Sequence, residues 1–166
     1  MSGLGPCENF AAFVMLRVSK PLEKSCARLT IHLTRYLLDT CVLSDFARGD
    51  PSTAQRIRDV SPSDIAVSTI TEMEIHYGLR LNPRLSRRLL PIFEQFFGAV
   101  RLLPFDRAEA RATSQLLASL KLRGTPIGAY DALIAGVALT HDLILVTSNV
   151  REFERVAELQ IEDWRR

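Results

Sequence analysis

The chain has 166 residues, 47% hydrophobic and 24% charged, which is typical of a single folded globular domain. Its formal net charge of +2 is too small to indicate a nucleic-acid partner, so any such affinity would depend on how the charges are distributed. The three cysteines (Cys7, Cys26 and Cys41) form no CxxC pair and lack a histidine at zinc spacing, which argues against a disulfide framework and a zinc site.

The first 34 residues mix Gly, Pro, Ser and isolated charges without a sustained helical or strand period. We interpret residues 1–34 as a poorly ordered extension, or as residues upstream of the true start codon, and residues 35–166 as the folded domain. Within the extension, the apolar run Phe10–Leu16 is too short to span a membrane, and its flanks do not resemble a signal peptide. We therefore expect a cytoplasmic protein without a membrane segment.

The first half of the domain alternates short apolar runs with helical periods. The predicted elements are a strand at Tyr36–Leu38, a short helix at Val42–Ala47, a helix from Pro51 to about Val60, a strand at Ile65–Ser68, a helix capped by Thr69 or Thr71 that runs to about Leu81, and a helix from Pro83 to about Phe97.

The second half repeats this alternation. A strand is predicted at Val100–Leu103, followed by a helix that opens with a capping box of Asp106 and Glu109, runs through Leu122 and is stopped by Gly124, a helix at Ile127–Leu139 and a strand at Leu143–Val146. The helix at Ile127–Leu139 is apolar on nearly all sides and is expected to be buried. The strand at Leu143–Val146 is continuously apolar, as is typical of a central parallel strand. The alternation predicts an α/β fold with a central, mainly parallel sheet and helices on both faces.

Polar residues follow two of the predicted strands directly. Asp39 comes after the first strand, and Thr147, Ser148 and Asn149 come after the last one. Because functional groups in an open parallel sheet collect at the carboxyl ends of the strands, we expect Asp39 and Asn149 to be neighbours.

Two further acids stand in apolar surroundings. Glu74 lies in the stretch from Ile70 to Leu79, and Asp131 lies in the most apolar helix, with no Arg or Lys within four residues. An ionised carboxylate is costly to bury unless it is paired or binds a metal. A cluster of carboxylates suits Mg²⁺ or Mn²⁺, and such an ion can activate water for phosphodiester hydrolysis.

Each of these residues also has a purely structural interpretation. Asp39 could cap a helix, Glu74 could be a solvated helix position, Asp131 could cap a helix starting at Ala132, and Asn149 could be a turn residue. A group of arginines could be either a solvated helix face or a track for phosphates; its members are Arg80, Arg84, Arg87 and Arg88.

Five segments, taken together and in order, resemble the motifs of the PIN-domain family. They are YLLDTCVLS at 36–44, STITEMEIHYG at 68–78, GTPIGAYDALIAG at 124–136, LVTSNVREFERV at 145–156, and the closing strand IEDW at 161–164. The resemblance implies a PIN-like fold and a ribonuclease toxin of the VapC class.

The resemblance also implies roles for particular residues. Asp39, Glu74 and Asp131 correspond to the catalytic carboxylates that hold Mg²⁺ or Mn²⁺, with Asn149 as a weaker partner. Other candidates, for polar contacts to these carboxylates or to phosphate, are Ser44 and Thr147. The implied partners are an RNA substrate (in the finer expectation, the anticodon stem-loop of initiator tRNA), a VapB-type antitoxin and a second copy of the chain.

Two residues depart from the family pattern. Cys41 stands where an Asn usually follows the first motif's Asp-Thr, and Asn149 stands where many members have a fourth acid. Asn can still bind a metal through its carbonyl oxygen, and Glu152 is a further candidate that would act through water. These departures leave open an alternative, a degenerate PIN domain that binds RNA or protein without cleaving it, as well as an enzyme that cleaves other nucleic acids.

Overall fold

The computed structural model describes residues 34–165. The expectation for residues 1–34 therefore concerns residues that, except for Thr34, lie outside the described part of the chain. Within residues 34–165 no helix is long and apolar enough to cross a membrane.

Five short strands alternate with seven helices in the described residues. The strands are β1 (Tyr36–Leu38), β2 (Ile65–Ser68), β3 (Arg101–Leu103), β4 (Ile144–Val146) and β5 (Ile161–Glu162). The helices are α1 (Thr40–Arg48), α2 (Pro51–Asp59), α3 (Thr69–Leu81), α4 (Pro83–Ala99), α5 (Arg107–Leu122), α6 (Ala129–Thr140) and α7 (Val150–Phe153), and a 3₁₀ turn covers Pro62–Asp64.

The strands form one sheet in the order β3-β2-β1-β4-β5, and every neighbouring pair is parallel. The first strand is central: Leu38 is in register with Val67 of β2 on one side and with Val146 of β4 on the other. The carboxyl ends of β1 and β4 therefore lie side by side, as the sequence predicted.

Hydrophobic cores lie on both faces of the sheet, because successive residues of a strand point to opposite sides. Leu38 packs into a cluster with residues of α1 to α4, including Phe46 and Phe96, whereas Leu37 packs into a second cluster with residues of α5 to α7, including Ile134 and Phe153. This arrangement confirms the predicted α/β fold with helices on both faces.

Several predicted boundaries were wrong at helix starts. The helix α1 begins at Thr40 rather than Val42, and Ser68, not Thr69 or Thr71, caps α3 by accepting a hydrogen bond from the backbone N of Thr71 at 3.0 Å. A serine side chain immediately after a strand can reach a free N–H of the next turn, so the strand's last residue is also the cap.

The buried helix α6 also begins later than predicted, at Ala129 rather than Ile127, with Gly128 as its N-cap residue. Asp131 lies inside this first turn and does not cap a helix starting at Ala132, so that structural alternative is wrong. The short helix α7 was not predicted, and the closing strand is confined to Ile161 and Glu162.

Candidate active site

The candidate site lies where β1 and β4 end side by side. The backbone N of Asp39 donates to the carbonyl oxygen of Val146 at 3.0 Å, which extends the pairing of the two strands by one residue. Thr147, the first residue after β4, is fully buried and lies next to Asp39. Residues separated by more than 100 positions in the sequence therefore share one site.

The carboxylate of Asp39 is buried, only 4% exposed, and is held by three donors. Its Oδ1 accepts from the backbone N of Thr40 at 2.7 Å, and its Oδ2 accepts from Thr147 Oγ1 at 2.7 Å and from the thiol of Cys41 at 3.0 Å. Asp39 is at the same time the N-cap residue of α1. The structural and the functional interpretations of this residue thus describe the same geometry.

Glu74 approaches the site from α3. Its Oε2 accepts a hydrogen bond of 2.5 Å from the hydroxyl of Thr40, the residue next to Asp39. Glu72, two positions earlier on the helix, points elsewhere, with Oε1 at 4.0 Å from Nε2 of His76. Glu74, which the motif resemblance assigns to the acidic cluster, thus lies next to the residue that follows Asp39, whereas Glu72 lies near His76.

Asp131 completes the acidic cluster from the first turn of α6. Partial burial, together with the negative charges of Asp39, Glu152 and Glu74, raises the pKa of Asp131 to about 6. A Cβ on Gly128 would lie 2.7 Å from Asp131 Oδ2, so the carboxylate occupies space that only glycine leaves open. Since φ of Gly128 is −55°, the glycine is required here for space and not for backbone conformation.

Asn149 and Glu152 lie at the edge of the site, and Asn149 does not place its side chain against Asp39 as expected. Asn149 is exposed and makes no capping hydrogen bond through its side chain; its backbone N donates to Thr147 Oγ1 at 3.0 Å. The neighbour of Asp39 at the end of β4 is therefore Thr147, and Asn149 acts there through its backbone. Glu152 accepts from the backbone N of Gly128 at 3.2 Å and pairs with Arg155 at 3.2 Å.

Cys41 is a site residue that sequence reasoning treated only as a departure from the family pattern. Its thiol contacts Asp39 and Thr147 and accepts from the backbone N of Ser148 at 3.1 Å. Burial and the adjacent Asp39 charge raise the pKa of the Cys41 thiol. Its position two residues after Asp39, facing inward in the first turn of a helix, was the available signal.

A groove of about 380 Å³ opens beside Glu74 and includes Ser44 and Thr40. Its floor is mostly apolar, and the side chains of Arg48 and Arg88 belong to its lining. The remaining floor residues are contributed by α1, α3 and α4 and are Ala47, Ile75, Gly78, Leu79, Leu85, Leu89 and Phe93. Ser44 therefore lies on a surface that leads from the carboxylates into this groove.

The arginines predicted as either a solvated face or a phosphate track are all exposed. Among the residues that the structure describes, none of the ion pairs involves Arg80, Arg84, Arg87 or Arg88. Arg88 is the member that reaches the groove beside Glu74.

The donor set of the cluster fits a hard divalent cation, because the side chains of Asp39, Glu74 and Asp131 offer only oxygen atoms. Yet no three Asp, Glu, His or Cys side chains in the described part of the chain are already grouped closely enough to hold a metal ion. Like charges repel, and Glu74 is turned to the Thr40 hydroxyl. A bound cation would have to draw the three carboxylates together.

Acidic residues gathered at the carboxyl end of a parallel sheet occur in a broad class of α/β proteins. Comparison with known families narrows it: the PIN-domain family model matches residues 36–159. The chain therefore belongs to the PIN-domain family.

Curated relatives place the chain close to the VapC proteins of that family. It is 34% identical over 132 residues to the "tRNA(fMet)-specific endonuclease VapC" of Shigella flexneri, covering 80% of this chain and 99% of that protein. It is 30% identical over 132 residues to "Ribonuclease VapC2" of Haemophilus influenzae, with the same coverage of both chains.

A solved structure agrees with these sequence relatives. The fold is similar to a chain of the DNA-bound VapBC complex from Salmonella typhimurium, with a TM-score of 0.72, 35% identity, and coverage of 78% of this chain and 98% of that chain. The match spans nearly the whole of the Salmonella typhimurium chain. The resemblance inferred from the sequence motifs is therefore confirmed.

Proposed function

We propose that this protein is the toxin of a VapBC toxin–antitoxin pair, an endoribonuclease that hydrolyses RNA phosphodiester bonds with Mg²⁺ or Mn²⁺. One observation carries the proposal: Asp39, Glu74 and Asp131 lie near one sheet edge, where burial, together with the charges of Asp39, Glu152 and Glu74, raises the pKa of Asp131 to about 6. Holding several carboxylates of like charge near one another costs folding free energy unless a cation binds there.

Asp39, Glu74 and Asp131 are the residues that would hold the cation, which supplies an activated water and neutralises charge on the phosphate. Asp39 is already fixed in orientation by its three hydrogen bonds, so it loses little freedom when it becomes a ligand. Asp131 is ionised above a pH of about 6 and is then available as a ligand. Asn149 is exposed beside the cluster, where its amide oxygen is a weaker candidate ligand.

The groove beside Glu74 supports RNA as the substrate. Arg88 and Arg48 are placed to contact phosphates on a strand that passes the carboxylates, while the apolar floor suits an unstacked base. Arg84 and Arg87 continue the positive charge along the exposed face of α4. An RNA that crosses this face brings a phosphate to the acidic cluster, with Ser44 as a polar contact in the groove, while the buried Thr147 holds the Asp39 carboxylate.

Initiator tRNA is the finer substrate proposal, and it rests on the printed specificity of the Shigella flexneri relative. The proposed inhibitory partner is a VapB-type antitoxin, supported by the likeness to a VapBC complex. Because the groove adjoins the carboxylates, an antitoxin segment that filled it would exclude RNA from the site. We further propose a toxin homodimer and a cytoplasmic location, where the tRNA substrate is found.

The proposal is tested by incubating the purified, antitoxin-free protein with total bacterial RNA in the presence of Mg²⁺, Mn²⁺ or EDTA. New 5′ ends are mapped by sequencing, with Asp39→Ala as the inactive variant and Asp142→Asn as a matched control. Asp142 is an exposed acid outside the cluster, and Asn tolerates its positive φ of 52°.

Discrete cuts that need both metal and Asp39 support the nuclease, and their position tests the tRNA proposal. Cuts that persist in EDTA or in Asp39→Ala contradict the metal-dependent mechanism. RNA binding without any cleavage would instead favour a degenerate PIN domain. The observation behind this alternative is the exposed amide of Asn149, which stands where many family members have a fourth acid.

A further inference from the structure

Cys41, the residue that departs from the usual Asn of the first motif, makes several contacts within the site. It lies in the first turn of α1, and its sulfur is 3.0 Å from Asp39 Oδ2, 3.2 Å from Thr147 Oγ1 and 3.1 Å from the backbone N of Ser148. One side chain thus connects the exit of β1 to the exit of β4, two segments that are far apart in sequence.

The hydrogen atoms available determine which way these bonds run. The hydroxyl of Thr147 donates its one hydrogen to Asp39 Oδ2 and accepts from the backbone N of Asn149. The backbone N of Ser148 donates to the sulfur, so the single thiol hydrogen of Cys41 is free to point at Asp39 Oδ2. Cys41 therefore serves once as an acceptor and once as a donor.

This arrangement determines which oxygen of Asp39 is free. Oδ2 receives two donors, from Thr147 and Cys41, which use both of its lone pairs, whereas Oδ1 receives only the backbone N of Thr40. The carboxylate is held in one rotation, with the unused lone pair on Oδ1. A ligand whose orientation is fixed in advance binds a cation with less loss of conformational entropy.

We propose that Cys41 is a positioning residue, which orients the Asp39 carboxylate for a divalent cation and at the same time ties the Thr147–Asn149 segment to it. The inference rests on the proposed function, because it assumes that Asp39 is a metal ligand. An Asn at this position has an amide NH₂ that can donate and an amide oxygen that can accept, the two functions that the thiol hydrogen and the sulfur provide here. The cysteine thus replaces the usual residue without losing either bond.

The test is the Mn²⁺ affinity of the full chain, measured by calorimetric titration without RNA, for wild type and four variants. Cys41→Ala and Cys41→Val remove the donor and the acceptor, Val filling the space that Ala leaves empty. Cys41→Ser and Cys41→Asn retain both functions. Thr113→Val serves as the control, since Thr113 is buried in α5, away from the cluster.

We expect Cys41→Val and Cys41→Ala to bind Mn²⁺ about 10-fold more weakly, the range typical of lost ligand-orienting contacts, while Cys41→Ser and Cys41→Asn bind much more tightly than either. Thr113→Val is expected to match wild type. RNA cleavage by the same variants should fall in kcat at limiting Mn²⁺ and recover at saturating Mn²⁺.

Unchanged Mn²⁺ affinity in folded Cys41→Ala or Cys41→Val would overturn the proposal. Equal weakening in all four Cys41 variants would also overturn it, because the residue would then act through its volume and not through hydrogen bonds. A wild-type chain that bound no Mn²⁺ would refute the metal dependence of the proposed function instead, so the two failures are distinguishable.

Discussion

Replacing Asp131 by Asn should abolish RNA cleavage and yet stabilise the metal-free protein. The folded state raises the pKa of Asp131 from 3.8 to about 6, so it holds a proton more tightly than the unfolded chain does. The penalty of the charged carboxylate is therefore fully present above a pH of about 6 and is lost as the pH falls toward 3.8. Asn has the same shape without the charge.

The size of the effect follows from that rise in pKa. At about 1.4 kcal/mol for each tenfold change in proton affinity, it corresponds to at most about 3 kcal/mol. Asp131 is only half-buried, so solvent screening reduces this to roughly 1 to 1.5 kcal/mol. The charge also interacts favourably with the N-terminus of α6, which offsets about 0.5 kcal/mol. The net gain for Asp131→Asn is about 0.5 to 1 kcal/mol, or about 2 to 4 °C in Tm for a domain of this size.

The assay is urea unfolding of wild type and Asp131→Asn in EDTA at several pH values between 4 and 8, repeated with Mn²⁺. The variant should be more stable at pH 8, and the difference should disappear near pH 4. Added Mn²⁺ should stabilise wild type by mass action and stabilise the variant much less. The exposed-acid control Asp142→Asn should show neither the pH-dependent gain nor a loss of the Mn²⁺ effect.

Two results would refute this reasoning. A variant that is no more stable than wild type at pH 8 would mean that the cluster's charges do not oppose folding. A gain that is the same at pH 4 and pH 8 would mean that Asn stabilises the protein for a reason other than charge. Full cleavage activity in Asp131→Asn would contradict the proposed catalytic role.

Three further predictions use other contacts. Gly128→Ala should fold but weaken Mn²⁺ binding in a calorimetric titration, because the new Cβ would lie 2.7 Å from Asp131 Oδ2 and displace that carboxylate; unchanged binding would contradict this. Arg87→Ala should weaken RNA binding and lower the slope of log K against log salt by about 0.7 to 0.9, the value for one lost phosphate contact, and an unaltered slope would remove Arg87 from the RNA surface. Gly136→Ala should cost roughly 1–3 kcal/mol in urea unfolding, because its Cβ would overlap Thr113 Oγ1, and adding Thr113→Ala should recover part of the loss.

The sheet edge that carries the site was predictable from the sequence because it depends only on strand polarity. Once the strands ending at Leu38 and Val146 are taken as parallel, Asp39 and the segment after Val146 must emerge together. Glu74 and Asp131 were predictable as well, since charged residues in apolar helical stretches require a compensating partner.

The details of the hydrogen-bond network were not predictable in the same way. Which of Thr147 and Asn149 faces Asp39 depends on how the chain turns after β4, and a helix of four residues such as α7 leaves too short a pattern to detect. The contact of Glu152 with the start of α6 depends on the packing of elements that are 24 residues apart. Local patterns determine an element, but they do not determine side-chain rotamers between elements.

The position of β1 in the middle of the sheet has a consequence for synthesis of the protein. Its partner on one side, β2, follows within about 30 residues, but its partner on the other side, β4, begins only at Ile144. A growing chain that has not yet reached Ile144 has no partner for that edge of β1 and no Thr147 to hold Asp39. Pairing between residues this far apart in the sequence is slower to form than pairing between near neighbours. A nascent chain therefore lacks the complete site until Thr147 has been synthesised and has packed against Asp39.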